Sequence, residues 1–145
     1  FRTPGGIHPE MGHIPTSVHR SYPCYCGRTN CAEHILSGSA INRRARELSQ
    51  ASAEELLESK EGKPFKEELV SALTDVIATF TTIFHCEAVF IGGGMQDFFE
   101  RYLIEETRER IGRLLPIYGR STIERCRAQE DAGALGAALL GRNIE

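Results

Sequence analysis

No surplus of positive charge marks this sequence: 17 Lys and Arg stand against 20 Asp and Glu, a formal net charge of -3 with a pI near 6.0. Without a global field or a local basic patch, nothing in it points to a nucleic-acid partner. No apolar run is long enough for a bilayer, so no membrane partner is expected either. The most apolar stretch, Leu69 to Phe84, is interrupted by Asp75 and four threonines and falls short of the roughly 20 residues that a spanning helix needs. Internal repeats and low-complexity tracts are absent, as is a basic segment followed by an apolar core of the kind that opens a signal peptide. The chain starts at Phe1 rather than Met, which leads us to expect a cut from a longer protein.

What the sequence does hold is an ordinary globular balance: 145 residues, 41% hydrophobic and 26% charged, with 14 Gly and 6 Pro. A chain of this length buries about two-thirds of its unfolded surface and sustains one core, so a single unit is expected over 1–145. The composition excludes collagen-like, disordered and coiled-coil chains. Five cysteines make an odd count, and Cys24, Cys26 and Cys31 crowd into eight residues, where a disulfide network would be strained or redundant. Clustered thiols of this kind point to a metal and to a reducing, cytoplasmic compartment.

Periodicity and punctuation give the elements. From Phe1 to about Glu33 neither a 3.6 nor a 2 period runs over a useful window, so a long ordered loop is expected. Loops beyond about 15 residues are uncommon unless a metal or a function orders them. Ser37 and Ser39 can cap a helix from about Ala40 to Leu48, and Ser52 with Glu55 spells a capping box for a short helix to about Lys60. Gly62 and Pro64 read as a break. From Phe65, the apolar positions Leu69, Leu73, Val76, Ile77, Phe80 and Phe84 recur at helical spacing. Ala88 to Ile91 reads as a parallel strand buried on both faces and ended by Gly92, Gly93 and Gly94. One helix is expected from Met95 to about Leu115, a strand between Ser121 and Arg127, and a helix of small residues beginning at Asp131. The alternation predicts an α/β class, with helices on the faces of a parallel or mixed sheet. The chain divides into a loop segment (1–36), a helical segment (37–86) and an α/β segment (87–145).

His13, Cys24, Cys26 and Cys31 offer one imidazole and three thiolates at the spacing H-x10-C-x-C-x4-C, the soft donor set of a closed tetrahedral zinc site. Gly27 supplies a position able to take the positive φ that folding around an ion requires. The competing reading is free thiols beside a surface histidine; donor type and spacing favour the metal. Four protein ligands leave no open position, so Zn2+ here is expected to be structural rather than a Lewis acid. Cys86 and Cys126 read as small buried apolar residues, His8, His19, His34 and His85 as structural or surface residues, and Asp131 as a helix cap.

Glu10-Met11-Gly12-His13 followed by CYCGRTNCAE resembles the E-x-G-H and C-x-C-G-x-x-x-C-x-E signature of ROK proteins, a family of repressors, open reading frames and sugar kinases. FIGGGM, from Phe90 to Met95, is similar to the family's apolar strand and triple-glycine nucleotide loop, and DAGALGAALL to its closing helix. HPEMGH, from His8 to His13, resembles the fructokinase-like branch. The resemblance implies an actin-like, RNase H-like fold of two lobes, of which this chain matches the C-terminal lobe with its zinc-binding loop. The family's D-x-G-x-T phosphate loop and the N-D motif carrying the general-base Asp have no counterpart here, so that base is expected upstream.

The resemblance also implies site residues. Glu10 and Glu33 would accept hydrogen bonds from sugar hydroxyls, and His13 would touch the sugar with one ring nitrogen while ligating zinc with the other. Ionised carboxylates are strong acceptors, and a metal-bound imidazole has a fixed tautomer, so the chemistry suits the task. Without the motif both carboxylates would read as solvated loop residues. Gly92, Gly93 and Gly94 would admit ATP phosphates near a helix N-terminus, although the same glycines alone also fit a plain turn. The implied activity is ATP-dependent phosphoryl transfer to a hexose hydroxyl, fructose or glucose, with Mg2+ bridging the phosphates. It would belong to the complete protein, with an N-terminal half as partner, a homo-oligomer, and this chain alone inactive. The alternatives are the sugar-sensing domain of a ROK-type repressor, marked by an upstream helix-turn-helix, and a zinc-stapled interaction module.

Overall fold

A computed structural model of the chain describes residues 10–49, 51–116, 122–127 and 132–141. His8, Ser121 and Asp131, singled out above, lie outside the described residues. After a 3-10 turn at Met11–His13, the helices are α1 (Ala32–Leu36), α2 (Gly38–Ser49), α3 (Ala53–Glu58) and, following a second 3-10 turn at Lys60–Gly62, α4 (Lys63–Phe84). There follow β1 (Ala88–Ile91), α5 (Gln96–Tyr102), α6 (Ile104–Leu114), β2 (Thr122–Arg125) and α7 (Ala132–Gly141). Among the described residues, no helix is long and apolar enough to cross a membrane.

The core gathers around α4, whose Phe65, Leu69, Val70, Ala72, Leu73 and Ile77 are buried against Ile35 of α1, Ile41 and Ala45 of α2, Leu56 of α3, and Ile104 and Ile111 of α6. The break expected at Gly62 and Pro64 is present between α3 and α4, and it is short, with α4 starting at Lys63. Pro64 sits in its first turn, where the missing N–H is not needed, and Gly62 precedes it against the end of α3. A Cβ at Gly62 would lie 1.9 Å from the Leu56 carbonyl oxygen, so only glycine fits this corner. The capping box of α3 is complete: Ser52 Oγ accepts from Glu55 N at 3.1 Å and Glu55 Oε2 accepts from Ser52 N at 2.9 Å.

The single helix expected from Met95 to Leu115 is two, broken at Leu103. On one straight helix the buried positions Phe98, Phe99, Leu103, Ile104, Thr107 and Ile111 would spread over about two-thirds of the circumference at 100° per residue. The break turns both halves toward one core. Strands β1 and β2 pair in parallel with Val89 opposite Ile123 and Phe90 opposite Glu124, as the α/β pattern requires. Burial of β1 on both faces is not observed: Phe90 is 62% exposed, because among the described residues α5 and α6 cover the other face, where Ile123 is buried. Cys86 and Cys126, expected to be buried, are only half-buried at the sheet margins.

The loop before α1 is clamped to the helices by charge. Asp75 Oδ2 accepts from Ser17 N at 2.6 Å, and Arg20 and Arg44 both donate to Glu68, at 2.5 and 2.9 Å. Burial works to raise the Glu68 carboxyl, but the hydrogen bonds from the two guanidinium groups outweigh it and hold it below the usual carboxylate range.

Candidate metal centre and the adjoining carboxylates

The loop folds back on itself by backbone pairing. Thr16 N donates to Asn30 O at 2.8 Å, Arg20 N to Thr29 O at 2.8 Å and Ala32 N to Ile14 O at 3.0 Å, with Pro15 bridged to Cys31. At its tip Cys24 N donates to Arg28 O at 2.7 Å and Gly27 N to Cys24 O at 2.8 Å, a turn that places Gly27 at φ 88°. Glycine takes that conformation without strain. The pairing brings Cys31, at the N-terminal end of α1, beneath the tip carrying Cys24 and Cys26. The 3-10 turn supplies His13 from the other side.

The four predicted ligands meet. Their donor atoms lie within 4.8 Å of one another, with Cys24 Sγ 3.7 Å from His13 Nδ1 and Cys26 Sγ 3.1 Å from Cys31 Sγ. A tetrahedral ion with bonds of about 2.0–2.3 Å needs donors about 3.3–3.8 Å apart, so small shifts bring the set to that geometry. Burial pushes the Cys31 thiol up to about 12, while the Arg28 backbone N–H, followed by the hydrogen bond with Cys31, lowers Cys26. Sulfurs this close cannot all ionise without a cation between them. The donor set, one imidazole and three sulfurs without a hard oxygen, fits Zn2+.

His13 divides its ring between two neighbourhoods. Nδ1 faces the sulfurs, and Nε2 faces the Glu33 carboxylate at 3.9 Å and the Tyr25 hydroxyl at 2.5 Å. Glu33 lies in the first turn of α1, against the 3-10 turn; a Cβ on Gly12 would come within 3.0 Å of Glu33 Oε2 and 3.1 Å of its Cβ. That close approach accounts for glycine between Glu10 and His13. Glu10 is exposed, and its carbonyl accepts from His13 N at 3.1 Å. The Tyr25 phenol is held above its ordinary range by desolvation and then by the charges of Glu33 and Glu10. Sequence reasoning passed over Tyr25. Its only signal was its place between two ligand cysteines.

Beside this cluster opens a cavity of about 250 Å3 whose wall includes Tyr25, Glu33, His34, Ser37, Ser39 and Arg43. His34 has a structural partner in the Tyr22 carbonyl at 3.1 Å, and His19 in Thr29 Oγ1 at 3.0 Å. The predicted nucleotide glycines are separate from the metal cluster. Gly92, Gly93 and Gly94 follow β1, Gly93 has φ 88°, and its carbonyl accepts from Gln96 N at 3.0 Å to start α5. Among the described residues, nothing lies within 4 Å of where a Cβ on Gly93 or Gly94 would be, so there the loop presents bare backbone. The two regions touch through Met95, whose sulfur would be 2.9 Å from a Cβ on Gly38 at the α1–α2 junction.

Comparison with known proteins shows the family and the fold. The model of the ROK family matches residues 1–144. The N-acetylmannosamine kinase of Escherichia coli O127:H6 is 32% identical over 151 residues, covering 96% of this chain and 48% of that protein. A solved ROK hexokinase from Thermus thermophilus superposes with a TM-score of 0.75 at 25% identity, over 97% of this chain and 49% of that one. The Lmo2764 protein from Listeria monocytogenes shares the fold with a TM-score of 0.74 at 18% identity. The chain spans about half the length of the curated relatives it matches.

Proposed function

Since this chain belongs to the ROK family, we propose that it is the zinc-bearing part of an ATP-dependent sugar kinase, cytoplasmic, with the remainder of the protein supplying the other lobe of an actin-like fold. The observation that carries the reading is the division of the His13 ring, with Nδ1 toward three cysteine sulfurs and Nε2 toward Glu33. In this reading His13, Cys24, Cys26 and Cys31 hold Zn2+, which supplies order to a loop with few apolar residues of its own. With Nδ1 committed to the ion, the imidazole proton resides on Nε2, and His13 becomes an oriented donor.

Glu10 and Glu33 act as acceptors for sugar hydroxyls, and the pair of acceptors beside one donor suits a polyol better than an apolar or anionic ligand. Gly92, Gly93 and Gly94 offer backbone at the nucleotide side, where Mg2+ bridging the phosphates of ATP would offset their charge. The γ-phosphoryl passes to a sugar hydroxyl whose proton is taken by an Asp in the remainder of the protein. A hexose is the substrate class. The N-acetylmannosamine kinase relative and the fructokinase-like HPEMGH motif point to different members of it, so the assay must span both.

The test uses the full-length protein with ATP, Mg2+ and a panel of N-acetylmannosamine, glucose and fructose. Turnover is expected on at least one of them. Glu33→Gln is expected to lose about ten- to a hundredfold in sugar affinity, the cost of one charge-assisted hydrogen bond of about 1.5–3 kcal/mol. Unchanged affinity would remove Glu33 from the site, and no turnover on any hexose would remove the kinase reading.

A further inference from the structure

With Nδ1 on the ion, as in the reading above, His13 Nε2 carries the one ring N–H and therefore has one strong hydrogen bond to give. In the structure that bond is already taken. The Tyr25 hydroxyl oxygen lies 2.5 Å from it, and the two rings meet edge to face, centroids 4.5 Å apart and planes at 82°. Glu33 Oε2, 3.9 Å from the same nitrogen, is too far for a comparable contact. Tyr25 is otherwise 79% exposed, and among the described residues its hydroxyl has no other hydrogen-bond partner. Its backbone is pinned between Cys24 and Cys26, so the side chain can leave His13 only by rotating about its own torsions into the solvent or the adjoining cavity. A residue held by one hydrogen bond and one ring edge, over a group that must donate to a ligand, is placed to be displaced.

We infer that Tyr25 is a substrate-gating residue: its hydroxyl occupies the place of a sugar hydroxyl on His13 Nε2, and a sugar binds by displacing it. This deepens the sugar-kinase reading and rests on it. The exchange trades one hydroxyl acceptor for another, so a ligand gains only where it also reaches Glu10 and Glu33. A sugar without the hydroxyl that faces His13 has nothing to replace the phenol with and is rejected. The gate therefore serves selection for polyols of one hydroxyl pattern. It leaves zinc untouched, because Tyr25 contacts the ring edge opposite Nδ1.

Tyr25→Phe keeps the ring and removes the competing oxygen. In the full-length protein, calorimetric dissociation constants for N-acetylmannosamine, glucose and fructose should be measured for the wild type, Tyr25→Phe and Glu33→Gln, with zinc content determined for each. Tyr25→Phe is expected to bind the accepted sugar about two- to tenfold more tightly, the worth of one neutral hydrogen bond, at unchanged zinc content. Saturating sugar in the wild type should also abolish the proton–proton cross-relaxation between the Tyr25 and His13 rings. Equal or weaker binding by Tyr25→Phe, or persistence of that cross-relaxation, overturns the gate. If Glu33→Gln still loses sugar in that case, the sugar site stands without it. If neither variant changes affinity, or no sugar binds the wild type, the site reading and the gate fall together.

Discussion

Cys31 ties the metal cluster to the fold. It is fully buried, precedes α1, and stands two residues before Glu33, so an ion bound there orders the loop and the carboxylate together. Structural zinc in small peptides contributes apparent binding energies of about 10–16 kcal/mol, far above any single contact in this loop. Elemental analysis should find about one zinc per chain, the complement of one four-ligand site. Cys31→Ser should abolish it and lower the melting temperature, whereas Cys126→Ser, outside the cluster, should leave the metal content unchanged. A metal-free wild type with freely titrating Cys24, Cys26 and Cys31 would refute the assignment. That His13, Cys24, Cys26 and Cys31 meet was legible from donor chemistry and spacing. Tyr25 was not, because nothing in its type or position announces a ring edge against His13.

Among the elements, those set by local signals agree best with expectation, and those set by packing agree least. The capping box at Ser52 and Glu55 is present in full, because both partners lie within one turn. The break expected at Gly62 and Pro64 is present, between the end of α3 at Glu58 and the start of α4 at Lys63. How tightly the chain turns there is set by the Leu56 carbonyl of α3 lying against Gly62, a contact absent from local sequence. Gly62→Ala should therefore destabilise the full-length protein by about 2 kcal/mol or more, read from chemical denaturation, through forced separation of α3 and α4. A neutral effect would show that the corner opens without cost. The split at Leu103 has the same origin, for only the shape of the core tells one amphipathic helix from two.

At the scale of the whole molecule, the chain holds the carboxylates proposed to face a sugar and the loop proposed to face the nucleotide but matches only about half of its relatives' length. Phosphoryl transfer depends on holding the nucleophile, the γ-phosphate and the metal in line, and a misplacement of about 1 Å can cost a hundredfold. A general base adds about 10² to 10⁴ in rate. The isolated 145-residue chain is therefore expected to show no sugar-dependent ATP turnover, and the full-length protein to restore it. Turnover by the chain alone near the roughly 1–100 per second typical of kinases would contradict the division of labour proposed here.

The sequence by itself determined the family, the α/β class, the parallel pairing of the strands and which four donor side chains come together. Each rests on residue types at short, countable spacings, which local physical chemistry reads directly. Tertiary structure alone decided that His13 turns Nδ1 to the sulfurs and Nε2 to Glu33, that Tyr25 closes over it, that Phe90 stays on an open face and that Gly62 packs against the Leu56 carbonyl. These depend on which surfaces meet across long separations in the chain, and the number of ways to meet is narrowed only when the core packs to full density.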